Sequence, residues 1–200
     1  MPNTIFNIPL LSHLLRFLSL IVIKALGWRV EGKLPAAGKF VLIAAPHTSN
    51  WDGFYMIMVA FVFRVNLYWM GKHTLFKSPF GSLTRFVGGI PINRSTASGM
   101  VEQSIRVLKD SSDVVLAIPP EGTRKKVPYW KTGFYHIASG AGVPIVTGFL
   151  DYGRKCTGVG PAMIPTGDMA ADYQILQGFY EPMTGKYLRE TSSIELLHKN

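Results

Sequence analysis

Read by the spacing of its apolar residues, the chain alternates short apolar runs with helical stripes. The run Phe40-Val41-Leu42-Ile43-Ala44-Ala45, bounded by the Pro-Ala-Ala-Gly turn at 35–38 and by Pro46, predicts a buried strand. A shorter strand over Trp28-Arg29-Val30-Glu31-Gly32 precedes it, and a loop leads on into a helix over Asp52 to Phe63. Strands are then predicted at Leu67 to Met70, Gly89 to Ile92, Val114 to Ile118, Pro144 to Leu150 and Gly158 to Met163. Helices are predicted at Pro79 to Val87, Ala97 to Lys109, Gly133 to Ser139, and along the tail from Asp168. This alternation predicts an α/β fold, a single domain with a mixed, mostly parallel sheet flanked by helices. With 200 residues and no repeat, low-complexity linker or charge block, no second domain is expected.

The first 27 residues stand apart. From Ile5 to Leu26 they are mostly apolar, yet Pro9, His13, Arg16, Ser19 and Lys24 interrupt them, so no run reaches the ~18 residues of a bilayer span. Ser12, His13, Arg16 and Ser19 recur at helical spacing and draw a narrow polar stripe on an apolar helix. Residues 1–27 are therefore expected to form an amphipathic, membrane-associating helix with its cations at the headgroups, and 28–200 the domain proper. A helix packed on the protein's own core is the plainer alternative. A signal peptide is disfavoured, because the start is not basic and no small-residue cleavage site follows.

Composition supports a lipid-facing role. The chain is 48% hydrophobic and only 16% charged, against about 25% in an average soluble domain. Twenty-one Lys and Arg against 12 Asp and Glu leave a net charge of +9, which suits an anionic bilayer or lipid. Nucleic acid is not expected as a partner: no recognised binding motif appears, and the basic residues do not alternate with aromatics. One cysteine, Cys156, excludes an internal disulfide and reads as a small buried hydrophobe, in keeping with a reducing compartment. No metal is expected, since His13, His73, His136 and His198 form no ligand spacing with carboxylates.

Candidate chemistry collects where strands end. His47 follows the first buried strand, and Asp52 stands five residues on, in the first turn of the next helix. A carboxylate so placed can fix the tautomer of the imidazole and stabilise its cation, leaving the other ring nitrogen to take a proton from a hydroxyl. Taken alone, the pair is served as well by an N-cap aspartate beside a surface histidine. Ser49 lies between them but lacks the G-x-S-x-G elbow of a serine hydrolase. Pro119-Pro120-Glu121-Gly122-Thr123-Arg124 follows the strand ending at Ile118 and offers a backbone approach, a hydroxyl and a planar guanidinium fork suited to phosphate. Gly88-Gly89-Ile90-Pro91-Ile92-Asn93-Arg94 ends a third strand and brings Arg94 to the same edge. Gly142-Val143-Pro144-Ile145-Val146 reads as structural, with a role in walling the site.

The ordered set H-x4-D, G-x-I-x-x-R, P-E-G-T-R and V-P-I-V, running from residue 47 to 146, resembles the glycerolipid acyltransferase family, typified by lysophosphatidate acyltransferases. The resemblance implies transfer of an acyl group from acyl-CoA or acyl carrier protein to a lysophospholipid hydroxyl, by an O-acyltransferase that needs no cofactor. It implies His47 and Asp52 as the catalytic dyad, and Arg94, Glu121, Gly122, Thr123 and Arg124 as the phosphate-binding residues. It implies a peripheral membrane protein, expected at the cytoplasmic face. Departures lie at Pro46, Pro119 and Lys125, and they bear on which lysolipid is accepted: lysophosphatidate, a lyso-aminolipid or another. Lys125 and Lys126 are candidates for CoA phosphates, a carrier protein or the bilayer, and Met56, Met58, Phe61 and Phe63 for an acyl tunnel or simple core. A non-catalytic lipid-binding protein is the rival reading.

Overall fold

The computed structural model describes residues 4–77, 79–92 and 97–195. Apolar runs buried on both faces become the central strands. In β2 (Lys39–Ala45) and β5 (Val114–Ile118) the side chains are largely or wholly buried, as expected of parallel strands covered by helices on each side. With β1 (Arg29–Glu31), β3 (Leu67–Lys72), β4 (Gly89–Ile92), β6 (Ile145–Asp151) and β7 (Cys156–Met163) they form one sheet in the order β1-β7-β6-β2-β5-β3-β4. All neighbours are parallel except β6 and β7, which form an antiparallel pair. Pro91 is accommodated because β4 is an edge strand.

Helices cover both faces. On one, Leu108 of α5 (Ala97–Lys109), Phe134 and Ile137 of α6 (Gly133–Ala141), and Leu176 and Tyr180 of α7 (Met169–Tyr180) pack with Val41, Ile43, Leu116 and Ile145. On the other, Ala60 and Phe61 of α2 (Trp51–Phe63) pack with Phe40, Val115, Ala117 and Val146. The chain leaves β2 through α2 towards β3, and leaves β5 through α6 towards β6, in opposite directions across the sheet. The carboxyl ends of β2 and β5 thus flank a topological switch point, where open α/β sheets place their ligand crevice.

The expected α/β class, mostly parallel sheet and single domain are what the structure has. Three local expectations are corrected. The helix expected over Pro79 to Val87 is the shorter α4 (Gly81–Phe86), and an unpredicted short helix, α3 (Thr74–Lys77), precedes it. The tail is α-helical only to Tyr180, starting from Asp168, whose side chain accepts from Ala171 N–H at 3.1 Å; Pro182 and Gly185 then set a strap over 181–190 that is irregular up to a single 3₁₀ turn at Leu188–Glu190. Gly142 to Val146 sits at the amino end of β6, opposite the crevice, and its apolar side chains are core.

The polar stripe of the N-terminal helix, α1 (Pro9–Ala25), is real but faces inward. Arg16 Nε donates to the Val62 carbonyl at 3.1 Å near the end of α2, Arg64 meets His13 at 2.7 Å, and Ser19 is buried. The outward side is apolar: Leu10 is 85% exposed and Phe17 62%, with Leu14, Leu18 and Ile21 beside them. The expectation of headgroup-facing cations on this stripe is therefore corrected, because an arginine that can reach the free carbonyls ending α2 is better satisfied there. Among the described residues no helix is long and apolar enough to cross a membrane.

Candidate active site

Three loops leave the carboxyl edge of the sheet side by side, after β2, β5 and β6. The first carries His47 and turns sharply into α2. Asp52 makes that turn: its Oδ2 accepts from Thr48 N–H at 2.7 Å and Ser49 N–H at 2.8 Å, and its Oδ1 from Ser49 Oγ at 3.1 Å. His47 Nδ1 lies 3.1 Å from the same Oδ2. The five-residue spacing thus wraps the backbone around the carboxylate, and the imidazole closes the ring.

Asp52 is only 4% exposed, and burial alone would raise its pKa. The hydrogen bonds from His47, Ser49 and Tyr152 outweigh burial and hold the carboxyl below the ordinary aspartate value. The ion therefore accepts from Nδ1–H, the tautomer that leaves Nε2 with a free lone pair. His47 lines the crevice, and no described residue bonds its Nε2. Ser49 Oγ is committed twice, donating to Asp52 and accepting from Trp51 N–H at 3.0 Å, so it serves the turn.

Tyr152, beyond the end of β6, is not singled out by the sequence. Its hydroxyl donates to Asp52 Oδ1 at 2.8 Å from 100 residues away. Burial and the Asp52 anion raise its pKa well above the usual tyrosine value, so it stays a donor. The one signal for it is that a strand parallel to β2 and ending at residue 151 delivers its next side chain to the same edge.

The loop after β5 supplies Glu121, Gly122, Thr123 and Arg124. Glu121 turns inward, 3% exposed, and its Oε1 accepts His47 N–H at 3.0 Å; its Oε2 is buried with no described partner. Burial pushes its carboxyl up to about 7, with the His47 N–H and nearby His47 pulling the other way. Its place is a brace under the His47 loop. Gly122 (φ 65°) is in the left-handed region, which turns the chain outward so that Gly122, Thr123 and Arg124 line the crevice mouth. Arg94 lies outside the described residues.

From His47 a cavity of about 640 Å³ runs between α2 and the sheet. Its walls are mainly apolar: Met56, Ile57, Ala60 and Phe63 of α2 face Leu42, Trp69, Ala117 and Leu150 of the strands. From Asp52 to Phe63 the helix rises roughly 17 Å. Of the four residues suggested for a tunnel, Met56 and Phe63 line this cavity, while Met58 and Phe61 are buried in the core around α2. Cys156 is buried in β7, and burial with neighbouring Glu31 pushes its thiol up to about 11, an unreactive state. Among the described residues no three His, Cys, Asp or Glu are grouped to hold a metal ion.

The chain as a whole has counterparts among known proteins. The 1-acyl-sn-glycerol-3-phosphate acyltransferases of Haemophilus influenzae (strain KW20) and Escherichia coli K12 are each 30% identical to the chain over 131 residues, 60% of its length. The chain spans about half the length of these curated relatives, 52% and 51%. The crystal structure of the 1-acyl-sn-glycerophosphate (LPA) acyltransferase PlsC from Thermotoga maritima shares the fold, with a TM-score of 0.56 over 86% of this chain and 80% of that one at 19% identity. The Acyltransferase family model matches residues 27–150, taking in the His47 loop, α2 and the Glu121 loop, and on that match the chain belongs to the acyltransferase family.

Proposed function

We propose that this chain transfers an acyl group from a thioester donor, acyl-CoA or acyl carrier protein, to the free hydroxyl of a lysophospholipid, in phospholipid synthesis. Lysophosphatidate is the first acceptor to test, because the matching relatives carry 1-acyl-sn-glycerol-3-phosphate in their names. The observation that carries the reading is the His47 to Asp52 hydrogen bond, with Nε2 free, at the mouth of the 640 Å³ apolar cavity.

In this mechanism the acyl chain lies in the cavity under α2 with its thioester carbonyl beside His47. Nε2 takes the proton of the acceptor hydroxyl as its oxygen attacks the carbonyl carbon. The tetrahedral oxyanion then collapses, the carbon–sulfur bond breaks, and the thiolate leaves with the proton held by His47. Asp52, fixed by four hydrogen bonds besides the imidazole, stabilises the transient imidazolium. A thiolate leaves readily, so positioning and general base catalysis, the latter worth ~10²- to 10⁴-fold, carry the rate. Thr123, Arg124 and Arg94 are the candidates to hold the acceptor's phosphate.

The reading extends to a peripheral seat on an anionic membrane. It is supported by the outward Leu10, Leu14, Phe17 and Ile21 of α1 and the net charge of +9. The cytoplasmic face is the expected side.

The test is release of free thiol from acyl-CoA in the presence of lysophosphatidate by the purified chain. His47→Ala is expected to abolish release with the circular dichroism spectrum unchanged. Undiminished turnover in that variant would sink the proposal.

A further inference from the structure

A second pocket of about 860 Å³ opens on the far side of the His47 loop, and its floor comes from the 181–190 strap. The strap lies beyond residue 150, where the family match ends. It is stitched to all three loops of the site. Tyr152 N–H donates to the Thr184 carbonyl at 2.8 Å, Tyr187 N–H to Thr48 Oγ1 at 3.3 Å, and Lys126 N–H to Glu190 Oε2 at 3.1 Å. Gly185 sits so close that a Cβ there would come 2.6 Å from Thr48 Cγ2. The pocket is thereby built before any ligand arrives.

Its lining is cationic and aromatic. Arg124, Lys125, Lys186 and Arg189 surround it, against the single carboxylate of Glu190. Glu190 is spent on Lys125, at 3.5 Å. Among the described residues no carboxylate lies within ion-pair reach of Arg124, Lys186 or Arg189. Trp51 and Tyr187 are both 53% exposed, an unusual cost for large rings, and the Lys186 ammonium rests 4.8 Å over the Trp51 ring. Cations with no carboxylate partner beside half-exposed rings, one of them already topped by an ammonium that a base could displace onto a phosphate, match a ligand that carries phosphates on an aromatic base.

Four residues, Ser49, Asn50, Thr123 and Arg124, line both this pocket and the apolar cavity, so the two spaces meet at the His47 loop. Resting on the function proposed above, we infer that the strap pocket binds the phosphorylated adenine nucleotide of a coenzyme A thioester, with Trp51 and Tyr187 against the base and Lys186 and Arg189 on the phosphates. The pantetheine arm then crosses the shared wall, which sets the thioester at His47 and the acyl chain under α2. A carrier protein is the poorer fit, because its prosthetic arm carries no adenine base to meet Trp51 and Tyr187.

The experiment titrates coenzyme A, and separately adenosine 3′,5′-bisphosphate, into the full chain while tryptophan fluorescence is recorded. Trp28 and Trp130 are buried and Trp69 lines the acyl cavity, which neither unacylated probe fills, so the signal is expected from Trp51 and is lost in Trp51→Phe. Lys186→Ala/Arg189→Ala is expected to weaken coenzyme A binding about tenfold or more, by calorimetry, while Lys186→Arg/Arg189→Lys restores it. In turnover, the wild type's preference for acyl-CoA over the truncated acyl-pantetheine should collapse in the Ala pair. Unchanged coenzyme A affinity in the Ala pair overturns the inference. So does a rise confined to the KM for the lysolipid or for acyl carrier protein. Strap-dependent coenzyme A binding in a chain that turns over no donor would uphold this site while refuting the proposed reaction.

Discussion

The Tyr152 hydroxyl donates to Asp52 Oδ1 at 2.8 Å, tying the loop after β6 to the carboxylate that orients His47. The bond matters because Asp52 is buried, and each donor it loses leaves a desolvated anion less compensated. Tyr152→Phe should raise the pKa of Asp52 towards the ordinary value and loosen the imidazole, with the ring packing on Trp28 and Tyr55 retained. The expected result is a drop in kcat of about tenfold at neutral pH, with a larger drop as pH falls towards the ordinary aspartate value near 3.8, and little change in either KM. Steady-state pH profiles of the two proteins check it; superimposable profiles would show that Ser49 and the backbone suffice.

Glu121 makes a prediction about stability. Burial raises its carboxyl from the usual 4.5 to about 7. A raised carboxyl contributes stability that is full below about pH 4.5 and is lost as pH climbs through about 7, because the unfolded chain then releases a proton the folded one retains. The group alone accounts for about 3 kcal/mol across that window. Glu121→Gln keeps an oxygen acceptor for His47 N–H and removes the titration. The stability of the Glu121→Gln protein relative to wild type should therefore rise between pH 5 and pH 8 in urea denaturation, and parallel curves would refute the cause given.

How far the sequence reveals this site depends on how local each relationship is. His47, Ser49 and Asp52 lie within one turn, so their spacing already carries the hydrogen-bonded ring. Tyr152 acts across 100 residues, and its role exists only because β6 is laid beside β2. Strand and helix alternation is readable because apolar runs such as Val114 to Ile118 are buried whole. Periodicity also finds the stripe through Ser12 and Ser19, but it fixes an angle on a helix without saying which angle packs inward; Arg16 is drawn in by the unsatisfied end of α2. The strap escapes the pattern because Pro182 and Gly185, the residues that end helical order, follow directly on a stretch with helical spacing.

The cavity under α2 should act as a gauge of acyl length. Ala60 lines it and is otherwise buried, about 12 Å along the helix from Asp52, so Ala60→Leu fills its far part at a packing cost of about 1–3 kcal/mol. The variant is expected to favour shorter acyl donors, seen as a rise in KM that grows with chain length. Gly53→Ala is the contrast at the head of the same cavity: a Cβ there meets nothing within 4 Å, so it should stabilise the protein by up to about 1 kcal/mol and leave the length preference, set at the far end, unchanged. An Ala60→Leu enzyme with an unaltered length profile would move the acyl chain elsewhere.

The inverted α1 yields the last prediction. Its polar side is consumed by Val62 and by Arg64, so the helix cannot roll to hide Leu10 and Phe17 without breaking those bonds. Burying two such side chains in a bilayer is worth roughly 3–6 kcal/mol, before the attraction of a +9 chain for anionic lipid is added. Leu10→Glu/Phe17→Glu should therefore remove co-sedimentation with phosphatidylcholine–phosphatidylglycerol vesicles at physiological salt while leaving the thermal transition in place, since both side chains already face away from the core. Added salt should weaken wild-type binding only in part, because the apolar component is unscreened. Binding that survives both charges but vanishes in salt would assign the membrane contact to the basic surface and not to α1.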